Sequence, residues 1–297
     1  MSRRAVLLAL GLASCVSASK PPHVDVPPAP PPEPVAIQRP VERVEPREFA
    51  FQGALTQGGV AIGQAPPHAS AIFLDGHAVP LAPDGRFLIG FGRDAKPTVI
   101  VEALLPGNVR ARQTVNITAR QWQIESIPSL HRGTGQPSPA YEAIRAAEVH
   151  RIHAARATPS TLMNWTERFV WPVTGRIAGV YGSQRILGGV AGSPHAGVDI
   201  ARPAGTPVVA PAGGRIVLAS PPRFSLEGNM VFIDHGHGLV SIMMHLSRID
   251  VHEGQLVRQG DTIGAVGMTG RATGPHLHWA MSWGEVKVDP QLLVPPL

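Results

Sequence analysis

The sequence predicts a mainly β chain, with a compact antiparallel β domain at the C-terminal end, preceded by a small β-sandwich-like module and one connecting helix. Three observations lead there. Of 297 residues, 32 are Gly and 31 are Pro while aromatics make up 5%, a balance that favours short strands and many turns. The apolar runs are short and divided by turn signals at intervals of roughly 8 to 12 residues or a little more. One stretch alone, from Ser138, carries good helix-start signals.

Hydrophobic content of 43% is that of a globular protein, and the length leaves room for about two domains of roughly 150 residues. A formal charge of +5 suits plain solubility and an anionic polymer such as cell wall equally well. Without an arginine-rich helix or a basic run of five, nucleic acid is not a predicted partner. Cys15 is the only cysteine, which excludes an intramolecular disulfide and a cysteine-type zinc finger. After residue 20, no stretch approaches the roughly 18 apolar residues of a spanning helix.

Residues 1–20 read as an export signal: Arg3 and Arg4 supply the positive n-region, and Ala5 to Ala13 form the apolar stretch. Leu12-Ala13-Ser14-Cys15 resembles a bacterial lipobox, which predicts lipidation at Cys15 and a membrane anchor; ordinary cleavage near Ala18 is the alternative. Residues 21–48 are a Pro-rich tether, because Pro27-Pro28-Ala29-Pro30-Pro31-Pro32 enforces extended backbone that cannot bury a core. Residues 49–125 are read as the β-sandwich-like module, with turns at Asp75-Gly76, Pro83-Asp84-Gly85 and Pro106-Gly107-Asn108. A linker over 126–170 holds a helix at about 138–157, with Ser138 as cap and Pro139 in its first turn. His150 and His153 lie on that helix among arginines, which argues for a solvated face over a metal site. From Trp171 to the end, short strands punctuated by glycine form the last domain.

That domain concentrates five polar groups: His195 and Asp199 in Pro194-His195-Ala196-Gly197-Val198-Asp199, a lone His245, and His276 and His278 in Gly274-Pro275-His276-Leu277-His278. Imidazole and carboxylate are the ligands zinc takes when thiolate is absent. Strand residues two apart share a face, so His276 and His278 point into one cavity. His195 and Asp199 would stand about 13 Å apart on a straight strand, so a bend is required, and Pro194 and Gly197 are read as supplying it. A catalytic zinc takes three protein ligands, which leaves two of the five for other work. Spacing does not say which two.

Residues 171–294 resemble the LytM, or M23, family of zinc-dependent peptidoglycan endopeptidases. The likeness runs through Tyr181-Gly182-Ser183-Gln184-Arg185, His195-x-x-x-Asp199, Gly205-Thr206-Pro207-Val208 and Gly213-Gly214-Arg215-Ile216-Val217. It continues in Gly228-Asn229, Asp234-His235-Gly236, His245-Leu246-Ser247, Gly254-Gln255-x-Val257-x-x-Gly260 and Thr269-Gly270-x-x-Thr273-Gly274-Pro275-His276-Leu277-His278. The resemblance implies one zinc ion held by His195, Asp199 and His278, with His245 and His276 as catalytic histidines. It leaves the division of base and oxyanion roles between those two open. Asn229 and Arg185 are candidates for shaping the substrate groove. Met244 departs from the family, which usually has an aromatic there, and this puts substrate preference in doubt more than catalysis. The implied function is hydrolysis of peptide cross-links in bacterial peptidoglycan, by a protein exported to the periplasm and lipid-anchored to the outer membrane of a Gram-negative cell. Cell-wall amidases and division proteins are the candidate protein partners. The alternative is a LytM-like regulator without catalysis that activates such amidases; the presence of all five residues argues for activity.

Overall fold

Gly197 to Ala201 and His276 to Trp283 show how the C-terminal domain is built: alternate residues face a core, and the others face the candidate site. The computed structural model describes the backbone of residues 44–45 and residues 48–128, 138–220 and 223–297. The export signal, Cys15 and nearly all of the tether lie outside the described residues.

The central sheet has eight strands. Its order is Arg176–Gly179, Gly197–Ala201, His276–Trp283, Leu239–Leu246, Asn229–Asp234, Gly214–Ala219 and Leu256–Val257, with Val286–Val288 also paired to His276–Trp283. All these pairings are antiparallel. Val198, Ile200, Leu277, Trp279 and Met281 point to one side, where they are buried with Val208 and Ile263 from a three-stranded sheet. On the opposite face of His276–Trp283 lie His276, His278, Ala280 and Ser282. The chain is mainly β, as its turn spacing predicts.

The helix α1 spans Pro139–Arg156, and Ser138 Oγ accepts a hydrogen bond from the Tyr141 N–H at 3.2 Å. Its Ile152 and Ala155 are buried against Phe232, Ile242 and Ala280, on the same sheet face as His278. On the same helix Ile144 is left 56% exposed.

The N-terminal module has two sheets around a shared core that includes Phe87, Ile89, Val101 and Ala111. It is not set apart from the last domain. Residues 42–297 form one compact unit, and Val60 and Leu88 of the module join the core beneath the central sheet. The region read as linker also begins differently. Ile124–Ile127 is a strand running parallel to Gln184–Leu187, a pairing 60 residues apart that no local pattern signals. No helix among the described residues is long and apolar enough to cross a membrane.

Candidate functional site

Cross-strand register places the first two groups. Asp199 stands directly opposite His278, so one carboxylate and one imidazole leave the sheet side by side. His195 arrives from the loop ahead of that strand. Its backbone N–H donates to Ser183 and its carbonyl accepts from Gly182, which fastens the loop to the turn at 181–183. This pinning makes the bend, and it corrects the role read for Gly197. Gly197 is already a strand residue, and a Cβ there would stand 2.3 Å from the Trp279 carbonyl. Glycine is needed for close strand approach, not for turning.

Among the described residues, one group of three has metal-ligating atoms gathered within 4.8 Å of one another: His195, Asp199 and His278. His195 Nε2 lies 3.1 Å from Asp199 Oδ1 and 3.1 Å from His278 Nδ1, and His278 Nδ1 lies 2.8 Å from Asp199 Oδ1. The second ring nitrogen of His195, Nδ1, faces the Val180 carbonyl at 3.1 Å. A carbonyl only accepts, so Nδ1 carries a proton, and in the neutral ring Nε2 turns a lone pair toward Asp199. A lone pair turned toward a carboxylate oxygen calls for a cation between them. These spacings of 2.8–3.1 Å are a little short of the edge of about 3.4 Å between ligand atoms in a tetrahedral site with bonds of roughly 2.1 Å, so the trio fits a zinc-type ion with a small outward shift.

The charges agree. Burial alone would raise the Asp199 carboxyl, but the positive charge that the His195 and His278 rings can carry beside it holds it well below the usual carboxylate range. Burial acts against the His195 imidazolium, and the Asp199 carboxylate beside it outweighs burial by favouring the protonated ring, so its pKa is raised. His278 is pulled down by burial.

His245 reaches the site by a backbone device. Along Leu239–Leu246, Val240 and Ile242 face α1 while Leu239 and Met243 face the opposite core. Simple alternation would bury His245 on the Met243 side. Instead its φ is 63°, in the left-handed region that non-glycine residues rarely adopt. Its ring then lies 4.9 Å from His276 and 6.2 Å from His278, centroid to centroid. His245 Nδ1 faces the Thr269 carbonyl at 2.8 Å and His276 Nδ1 faces that of Gly274 at 2.8 Å, so both rings hold a proton on Nδ1. His276 Nε2 is 3.8 Å from Asp199 Oδ1. Burial lowers the pKa of His245.

Asn229 and Arg185 sit at the margins. The Asn229 side-chain amide donates to the Leu246 carbonyl at 3.0 Å, just past His245, and Arg185 Nε donates to Glu125 at 2.8 Å. Sequence reasoning missed Thr269 as the carbonyl that orients His245, although Thr269-Gly270 belongs to the quoted motif. It also missed Glu125, which lies in a segment without any motif.

Residues 193–290 match the peptidase family M23. Among curated proteins, the chain is 39% identical over 118 residues to the peptidoglycan DD-endopeptidase ShyA of Vibrio cholerae, covering 40% of this chain and 24% of that protein. It is 44% identical over 96 residues to the DD-carboxypeptidase/endopeptidase Mpg of Neisseria meningitidis serogroup B, covering 32% of this chain and 22% of that protein. The chain thus spans about a quarter of the length of these relatives. A crystal structure described as a peptidase M23 from Pseudomonas aeruginosa superposes with a TM-score of 0.62 at 29% identity, over 80% of this chain and 94% of that one.

Proposed function

Since residues 193–290 match the peptidase family M23, we propose that the chain is a zinc-dependent endopeptidase that hydrolyses peptide cross-links of bacterial peptidoglycan. One observation carries the reading: three mutually close metal donors and two further imidazoles, each with Nδ1 tied to a carbonyl, share one end of the sheet face.

His195, Asp199 and His278 would hold the ion, with the Val180 carbonyl fixing the ring of His195. Bound zinc lowers the pKa of a water ligand to about 7 and so supplies hydroxide at neutral pH. His245 has its Nδ1 proton committed to Thr269, which leaves Nε2 to accept the proton of the attacking water. His276, whose Nδ1 proton is taken by Gly274, would donate to the scissile carbonyl oxygen only with a second proton on Nε2, the atom beside Asp199. Asn229 and Arg185 shape the groove indirectly, through Leu246 and Glu125.

The purified full chain is expected to carry about one zinc per molecule and to release cross-link fragments from isolated sacculi. His195→Ala should lose metal and activity together. His245→Ala should keep the metal while activity falls roughly 100- to 10,000-fold, the usual weight of a general base. A metal-loaded chain that releases nothing from sacculi would overturn the assignment.

Substrate location requires export, and the Leu12-Ala13-Ser14-Cys15 segment supports a lipid anchor at Cys15, with residues 21–48 as a spacer from the outer membrane. Cys15→Ser should move the protein from the membrane fraction to the soluble periplasmic one. An unchanged distribution counts against the anchor. Amidases and division proteins remain candidate partners at the cell wall.

A further inference from the structure

A pocket of about 530 Å³ lies between α1 and the loops at 223–225 and 268–270. Thr269 lines this pocket and its carbonyl faces His245 Nδ1 at 2.8 Å, so one residue joins the pocket wall to the candidate catalytic groups. Two lining side chains, Ile144 and Met268, are apolar yet 56% and 52% exposed. The charged groups around them are unequal. Glu148 is taken up by the Ser225 N–H at 2.6 Å, the Ser225 hydroxyl at 2.6 Å and Arg145 at 2.9 Å. Arg145 is itself held by both oxygens of Glu227. Arg223, exposed on the pocket rim, makes no ion pair among the described residues.

We propose that this pocket is a specificity subsite for a substrate side chain that ends in a carboxylate, with the apolar stem against Ile144 and Met268 and the anion on Arg223. The proposal rests on the peptidase reading above. A guanidinium without an ion-pair partner among the described residues offers paired N–H donors in the geometry a carboxylate accepts. Exposed apolar surface beside it would gain from covering a methylene stem. Only the helix brings Ile144 and Glu148 to this place, so the preference belongs to this chain's α1 as much as to the peptidase loops.

The test uses cross-linked peptides released from sacculi, either native or with their free carboxylates converted to carboxamides. Binding is measured by calorimetry to the full chain carrying His245→Ala, so that turnover during the titration is slowed. Amidation should weaken binding about tenfold when Arg223 is present, the scale of one exposed charge-assisted pair. With Arg223→Gln the two peptides should bind within twofold, and Arg223→Lys should restore part of the difference. In the active chain, Arg223→Gln should raise KM and leave kcat unchanged. An equal amidation effect with and without Arg223, or none in either, overturns the subsite. Discrimination by Arg223 in a chain that never cleaves sacculi would instead keep the subsite and overturn the hydrolase, while no binding in any arm overturns both.

Discussion

The φ of 63° at His245 shows how a single residue decides whether the site exists. A non-glycine side chain in this region costs of order 1–3 kcal/mol and persists only where the surroundings enforce it. Here the N–H of His245 donates to Glu227 and its ring to Thr269, so two loops hold it in place. The residue identities were legible in the sequence, because His-x-x-x-Asp and His-x-His are written in it. The delivery of His245 was not, since strand periodicity sends it to the wrong face. Gly197 makes a parallel case: the glycine is visible, but the Trp279 carbonyl that demands it is more than 80 residues away. Gly197→Ala should therefore separate the strands that carry Asp199 and His278. We expect a loss of roughly 1–3 kcal/mol, the usual cost of overpacking, with weaker zinc retention. Thermal unfolding and metal titration measure both, and a variant with wild-type melting temperature and zinc affinity would show that the contact relaxes freely.

At the scale of elements, α1 is the informative case. Its boundaries were readable from Ser138 and Pro139, but its partner was not. Helix signals report local backbone, whereas the target is a sheet face composed of residues 218–280. The N-terminal half is attached mainly by polar contacts, with Arg145 bridging Glu148 and Glu227. Arg145→Ala should cost about 1–2 kcal/mol, as expected for charge-assisted bonds at a partly exposed place, and should speed amide exchange in the first half of α1. The pH dependence has a definite sign. Burial would raise Glu148, but bonds from Ser225 and Arg145 win, so its folded pKa lies below 4.5. A carboxylate depressed in the folded state stabilises above its unfolded pKa and loses that contribution as pH falls through its folded value. Exchange protection of α1 should thus weaken below about pH 4.5, before the central sheet is exposed. Simultaneous loss in both elements would show that the helix has no separate opening.

Across the whole molecule, the module at 49–125 acts as a brace for the candidate site. No motif in its sequence signals this, because the relevant groups reach out of it. Arg93 donates to the Gly182 carbonyl at 2.9 Å, and Trp122 packs on Tyr181, beside the turn that fastens the His195 loop. Arg120 pairs at 2.8 Å with Asp289, whose side chain is 1% exposed. That pair links two regions 169 residues apart, a distance at which sequence spacing is silent. Burial raises the Asp289 pKa, and Arg120 offsets only part of the rise. Removing the partner of a buried charge costs about 3–5 kcal/mol when the charge stays, so Arg120→Met should destabilise strongly at pH 7. The sign with pH follows from linkage. A carboxyl raised in the folded state is most compatible with folding when protonated, and its penalty grows as pH rises from the unfolded value toward the folded one. Without Arg120 the folded value rises further, so the stability gap between Arg120→Met and wild type should narrow as pH falls from 7 toward 4. Denaturant unfolding of both proteins across that range, with sacculi hydrolysis followed at pH 7, tests the brace. A gap that stays constant with pH would remove Asp289 from the explanation, and full activity in the variant would remove the module from the positioning of His195.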